Sequence, residues 1–512
     1  MSGTITTSRR LMTNTILNMS NQALTVLVNF AMVGFFLDTL GEERYGVWIL
    51  VGSIFSYRSI MSMGLNSAVN RRIPAHLARQ DFAAIRQVVS TAFAYYLAPA
   101  AVLSIATLAI YFNIEAWFSI PDELVETAEF ITLIVGLSFA ITVPLQVYNA
   151  VLSSYQRYDL INLISVTSLV IRTFLVVAML SNGFGLPTLA ILYACSEIGI
   201  RALSTIFGSR LMSGIQISPK QVDRALLGHM MTYGVSTILY MSGAILVFKS
   251  ADLVIAALIS TSAVSRFFIA TTPVLLLTTI VQVFSQAMKP AVSELDALDD
   301  HARIEEMALV SQKFTLFAIL PGLTFILVMG QEFLSVWVGS RFPDPEVLAE
   351  LSTVLQILGI GAALRLTQHT NFIVLVGKGR HRAFGIGAGL MIFSCVLLET
   401  AAVLVFDGGL VGVALGCCLP MAIVSTVFLP AYFNRRMQIT FAHTLRRSWF
   451  PATCACLPAA LLLVAWKEYR PPTSWIELFM VVVATAFATG VTAWLVALEP
   501  LERARIRRIL PI

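Results

Sequence analysis

Charge is what this sequence has least of. Only 12% of its 512 residues are Asp, Glu, Lys or Arg, while 57% are hydrophobic. Ordinary soluble domains carry roughly twice that charged share. A water-solvated surface of normal extent is therefore excluded, and the chain reads as a polytopic membrane protein. The formal net charge of +5 is not a nucleic-acid signature here, because in a membrane protein the question is where the cations fall along the topology.

Metal and nucleophile chemistry are also scarce. The six cysteines (Cys195, Cys395, Cys417, Cys418, Cys454, Cys456) fall in apolar segments without metal-ligand spacing, the pattern of buried structural thiols. The six histidines (His76, His229, His301, His369, His381, His443) are scattered, with no HExxH among them. No metal and no cofactor are expected. Gly385, Gly387 and Gly389 look like a glycine-rich loop but lie inside an apolar run, where they suit close helix packing. The first apolar segment contains Asn14, Asn18, Asn21 and Asn29 and lacks a small-residue cleavage pattern, so no cleavable signal is expected. Loops are short, with no room for a soluble catalytic domain, which argues against an enzyme.

What the chain does have is apolar helix-length runs. Fourteen are expected, at about 14–36, 46–69, 88–111, 129–152, 160–181, 187–208, 229–248, 265–288, 309–330, 350–376, 383–406, 409–433, 449–466 and 475–497. They are called spans one to fourteen below. An even number puts both termini on one side of the membrane. About 24 Lys and Arg residues, Lys313 among them, fall in one set of loops. About five, namely Arg44, Lys249, Arg341, Lys467 and Arg470, fall in the other. The positive-inside rule then makes both termini cytoplasmic. Surface helices are expected at 71–87 and, after Ser218-Pro219, at 221–227.

An internal repeat is visible. Pro99, Trp117, Gln146, Asn149, Arg157 and Gly185-Leu186 recur in order as Pro321, Trp337, Gln368, Asn371, Arg380 and Gly409-Leu410. One offset of about 220–224 residues relates the pairs. The expected architecture is all-α: a six-helix lobe over 1–208, a second over 209–433, and two additional helices with a basic tail over 434–512. Six spans per copy give parallel repeats, related by an axis along the membrane normal.

Charged residues inside spans are the functional candidates, since an arginine at mid-membrane costs at least about 2.5–3.5 kcal/mol on insertion scales. Arg58, Arg172 and Arg365 lie near mid-span with no acid at helical spacing. Together they suit a cationic cavity for an anionic substrate; capping of carbonyls or pairing with a distant acid is the competing account. Glu197 and Arg201, four apart, are expected to neutralise each other. Glu399, the remaining deep carboxylate, is a candidate for ion coupling or for a salt bridge to a deep arginine. Gln146, Tyr148 and Asn149, with Gln368, His369 and Asn371 in the second copy, suit hydroxyl-rich ligands such as sugars or, alternatively, hydrogen bonding between helices.

Diffuse motifs then add a family resemblance. They are Gly41 with Tyr45-Gly46-Val47-Trp48, Met63-Gly64-Leu65 ahead of Arg71-Arg72, Tyr155-Gln156-Arg157-Tyr158, and Asp252. Lys289-Pro290 with Ser293-Glu294, Trp337-Val338-Gly339, and Gly377-Lys378 before Arg380 complete the set. In their order and spacing the chain resembles the polysaccharide transporter (Wzx-type oligosaccharide flippase) family of the multidrug/oligosaccharidyl-lipid/polysaccharide exporter superfamily. The resemblance implies two six-helix lobes around a central cavity, working by alternating access. The implied substrate is an undecaprenyl-diphosphate-linked oligosaccharide, moved across a bacterial plasma (inner) membrane. It also implies membrane lipids and the polysaccharide polymerase and chain-length machinery as partners, and no nucleic acid. Where many relatives have an acid just before the span-two glycine, this chain has Ser62 and Met63. Two alternatives stay open: a cation-coupled exporter of the same fold, which would want cavity carboxylates, and a membrane glycosyltransferase or polymerase.

Overall fold

The computed structural model describes residues 2–58, 69, 72–212, 217–223, 239–240, 243, 245–286, 292, 294–296, 298, 300–379, 382–500 and 502–504, with side chains from Ser20 onward except at 280 and 282–286. It is all-helical. Among the described residues, twelve stretches are long and apolar enough to cross a membrane. Spans one and two share one of them, Ser20–Ser56, which breaks at Gly41 (φ 77°, ψ 170°). That positive φ is a conformation glycine adopts without the penalty of a Cβ. Much of span seven lies outside the described residues, and the other eleven spans match one for one.

Helix starts follow from local chemistry. Asp81 caps Phe82–Trp117 by accepting from the Ala84 amide at 3.0 Å, and Asp300 caps His301–Val338 from the Arg303 amide at 3.1 Å. Asp344 caps Pro345–Thr367, with proline at the first helical position. Ser474 caps the last span by accepting from the Glu477 amide at 3.3 Å, and the Glu477 carboxylate accepts from the Thr473 amide at 2.8 Å. Pro99, Pro144, Pro273, Pro321 and Pro420 all sit within helices. Beyond Pro420 the helix widens into a π turn, Val424–Phe428, a common response to a disrupted hydrogen-bond ladder.

The chain forms two compact units, Met1–Ser265 and Arg266–Ile512. In the first, Asp122–Ser154 (span four) packs mainly on Phe82–Trp117 (span three) and Leu186–Leu211 (span six). Gly136 makes the close approach possible, since a Cβ there would overlap Thr107 and Phe55. In the second, Pro345–Thr367 (span ten) packs on His301–Val338 (span nine) and Gly409–Ile423 (span twelve). The central span of each unit thus has corresponding neighbours. Span three with Pro99 is 36 residues long and span nine with Pro321 is 38. Phe450–Tyr469 and Trp475–Thr492, the two helices beyond the repeat, pack on span nine and on each other.

Four local expectations are corrected. Span seven does not end before Lys249: residues 245–258 are helical, and Ala256 accepts from the Ser119 amide in the turn after span three. Lys249 therefore lies roughly 10 Å below that turn, by helical rise. It is no loop residue; its ammonium binds Asp252 at 2.8 Å. Lys313, assigned to the opposite loops, is likewise buried in a helix and bound to Glu502 at 2.6 Å. Span ten is two helices, Pro345–Thr367 and His369–Gly377, parted at Gln368. Only a 3-10 turn, Pro219–Gln221, follows Ser218, with Val222 extended. Residues 224–230 lie outside the described ones, as do Ser62, Met63, Gly64, Arg71, Lys289, Pro290 and Arg380.

Candidate substrate-binding site

Leu186–Leu211 organises the polar groups of the first unit. Tyr193, Glu197 and Arg201 recur every four residues, which places them on one helix face about 6 Å apart in height. Each meets something different. The Tyr193 ring takes the Arg172 guanidinium over its face at 4.3 Å and the Trp48 ring edge-on at 4.8 Å. The Glu197 carboxylate faces Arg58, with Nη2 to Oε2 at 3.8 Å. Arg58 also stacks on Phe139 at 3.9 Å, and Phe139 in turn meets Phe55 edge-on. Arg201, one turn further, acts electrostatically on Arg58 and on buried Tyr96.

The outcome is a ladder of three guanidinium groups beside a single carboxylate. Glu197 does not pair with Arg201 as its spacing suggested; its ion pair is with Arg58 of span two. That pair is long. Glu197 Oε2 and Arg201 Nε are both buried atoms without a hydrogen-bond partner, and such atoms are costly unless something completes them. The Arg58 and Glu197 side chains remain 23% and 20% exposed. Cation–π contacts contribute about 0.5–2 kcal/mol each while leaving the guanidinium N–H groups free in its plane. The ladder therefore holds its cations in place without using up their donors.

A second ionic cluster lies about a turn from Arg58 along span two. Asp252 is almost fully buried and accepts from the Ser53 hydroxyl at 2.7 Å and from Lys249 at 2.8 Å; Lys249 also reaches Ser53 at 3.1 Å. Nearby, Gly46 lies against the Thr261 backbone so closely that no Cβ fits. Charges and donors match within this cluster, so it has little left for a ligand.

The polar residues of the second unit are arranged differently. Arg365 is 3% exposed, in the last turn before the break at Gln368. Gln368 donates to Thr367 at 3.1 Å, Asn371 donates to Gln368 at 3.0 Å, and Thr315 meets Thr370 at 3.0 Å. His369 is buried beside Phe372. Glu399 is fully buried and accepts from the Cys417 thiol at 3.0 Å. It sits where spans eleven and twelve approach so closely that a Cβ on Gly416 would lie 2.7 Å from its amide nitrogen. In the first unit, Gln146 is buried, while Tyr148 and Asn149 are half-buried and Tyr148 packs against Gly208.

Sequence reasoning singled out Arg58 and Arg172 but not the Phe139 and Tyr193 rings on which they rest, nor the Trp48 ring beside Tyr193. The four-residue spacing of Tyr193, Glu197 and Arg201 was the available signal. No group of three or more potential metal ligands occurs among the described residues.

Comparison with known proteins follows from this geometry. The family model described as "Polysaccharide biosynthesis protein" matches residues 39–345. None of the curated proteins compared matches the chain. Among solved structures, the lipid II flippase MurJ in an inward closed conformation superposes with a TM-score of 0.68 at 14% identity, over 98% of this chain and 100% of that one. An inward-facing multidrug resistance MATE family transporter of the MOP superfamily gives 0.65 at 16% identity, over 83% and 98%. A MOP superfamily transporter from Pyrococcus furiosus, described as having a binding pocket of reversed polarity, gives 0.57 at 17%, over 84% and 95%. At these identities the likeness is one of fold.

Proposed function

This chain belongs to the family described as polysaccharide biosynthesis protein, and we propose that it is a flippase for lipid-linked oligosaccharide. The substrate would be an undecaprenyl-diphosphate-linked repeat unit, carried to the outer leaflet of a bacterial plasma membrane by alternating access, with both termini cytoplasmic. Its product would feed O-antigen or exopolysaccharide assembly, handing over to a polymerase and chain-length machinery. The chain would work as a transporter, not an enzyme.

The observation that carries this reading is the arginine ladder. Arg58 meets the one carboxylate, Glu197, in a partly open apolar setting, Arg172 lies over the Tyr193 ring one turn before Glu197 on that helix, and Arg201 stands one turn after it. A diphosphate carries several anionic oxygens, and a guanidinium engages such oxygens through a planar fork of donors. Trp48 and Tyr193 offer ring faces and edges to sugars beside it. The polar lining beside the ladder is assigned to Gln146, Tyr148 and Asn149 of the first unit, while Arg365, Gln368, His369 and Asn371, each 2–3% exposed, are read as scaffold of the second. The prenyl chain would stay in lipid. A cation-coupled drug exporter would want free carboxylates here, and Glu197 is already engaged by Arg58.

The test is complementation of polysaccharide assembly in a flippase-deficient strain, with membrane expression measured for each variant. Arg58→Ala and Arg172→Ala should lose polysaccharide at normal expression, Arg→Lys should lose less, and Arg→Glu should abolish it. Normal polysaccharide from well-expressed alanine variants would refute the assignment.

A further inference from the structure

The two helices beyond the repeat form a pocket that the transport reading does not use. It encloses ≈ 430 Å³ and is lined by Lys313, His443, Arg446, Arg447, Pro451 and the stretch 496–499. It lies where Phe441–Tyr469 begins and Trp475–Ala497 ends, the side of the chain that carries the basic loops. Two π turns border it, Leu445–Trp449 and Ala493–Ala497. Such turns widen a helix locally and recur at functional sites.

The ionic partners in the pocket are not equivalent. Lys313 is 2% exposed, binds Glu502 at 2.6 Å and reaches the Ala497 carbonyl at 3.4 Å. It acts as an internal staple between span nine and the end of span fourteen. Arg447 meets Glu499 only through two contacts of 3.4 Å, with 39% and 45% of the two side chains exposed. Charge-assisted N–H···O bonds ordinarily close to about 2.7–2.9 Å. Arg446 is exposed and makes no ion pair with any described residue. His443 stands 4.0 Å from Glu305. Arg446, Arg447 and His443 thus present two guanidinium forks and an imidazole, which Glu499 and Glu305 answer only loosely.

Apolar surface continues from this cluster along the same two helices. Phe450, Leu457 and Leu461 on one, and Leu495 and Val496 on the other, are all 59–67% exposed. A ligand that fits both parts has an anionic head and hydrocarbon tails. We infer that this pocket binds the phosphodiester headgroup of an anionic phospholipid, which Arg446 and Arg447 engage while its acyl chains follow the exposed flank of the last two helices. Basic pockets between membrane helices bind anionic headgroups in this way.

The experiment uses the full-length protein in detergent. Retention of phosphatidylglycerol would be measured by native mass spectrometry against phosphatidylcholine, with inorganic phosphate as competitor. Phosphatidylglycerol should be retained preferentially, and millimolar phosphate should not displace it. Arg446→Gln and Arg447→Gln should each weaken binding roughly fivefold, the worth of one basic residue near an anionic surface. Arg446→Lys should bind within twofold of wild type. Arg446 is exposed, so Arg446→Gln serves if the Arg447 variant fails to fold. Equal retention by a folded Arg446→Gln protein would overturn the proposal, as would equal retention of phosphatidylcholine or displacement by free phosphate.

Discussion

The two units hold polar side chains within apolar helices and use them in opposite ways. In the first, Arg58 and Arg172 lie over aromatic rings, and the Arg58–Glu197 pair keeps about a fifth of its side-chain surface open. In the second, Arg365, Gln368, His369 and Asn371 are all 2–3% exposed, and the amides hydrogen-bond to each other and to Thr367 around a helix break. A break inside a membrane helix exposes backbone groups, and side chains must satisfy them where water cannot. The amides around Gln368 spend their donors on one another and on the Thr367 hydroxyl. An arginine resting on a ring face keeps its donors for another molecule. Exposure and unspent donors, more than the mere presence of a buried charge, separate a binding surface from a scaffold.

The largest expected effect tests the scaffold side within the first unit. Asp252→Ala would remove the buried carboxylate from Lys249, whose side chain is 17% exposed, at a cost approaching the roughly 3–5 kcal/mol typical of breaking a buried pair. Thermal unfolding in detergent should show a large drop, whereas Ser53→Ala, which removes one hydrogen bond, should cost about 1 kcal/mol. A wild-type melting temperature for Asp252→Ala would remove the cluster from the account.

The next prediction sets the units against each other. Arg365→Ala should lower melting temperature and expression, because a residue buried at a helix break is removed. Arg58→Ala should leave both near wild type while transport falls. Equal destabilisation by the two would collapse the contrast between them.

The smallest expected effect concerns Glu399. It is fully enclosed between spans eleven and twelve, with the Cys417 thiol as donor. Glu399→Gln keeps its shape and one acceptor. Transport by this variant should show the pH dependence of wild type. A shifted or flattened pH profile would instead assign Glu399 to ion coupling.

Much of this was legible in the sequence, for identifiable reasons. Apolar length located the spans, and the single offset that pointed to a repeat pairs Pro99 with Pro321, each inside a long helix. Insertion cost singled out Arg58, Arg172 and Arg365. Partners were harder to read. Spacing along one helix suggested Glu197 with Arg201, but Arg58 arrives from span two, a contact that only tertiary packing creates. Lys249 reads as a loop cation because Lys249, Ser250 and Asp252 interrupt the apolar run that ends at Phe248. Only the partner Asp252 and the Ser119–Ala256 hydrogen bond reveal that the helix runs on. Phe139 and Tyr193 were invisible for a related reason: an aromatic ring in an apolar helix carries no mark of the cation above it.

The central claim is that the arginine ladder of the first unit binds a diphosphate. Its most direct test is the affinity of purified protein for undecaprenyl diphosphate, measured for wild type, Arg58→Ala, Arg172→Ala and Arg365→Ala, each with its melting temperature. Losing a charge-assisted bond costs about 1.5–3 kcal/mol, so Arg58→Ala and Arg172→Ala should each weaken binding by roughly tenfold or more. Folded Arg365→Ala should bind within twofold of wild type. Unchanged affinity in folded Arg58→Ala and Arg172→Ala proteins would contradict the account.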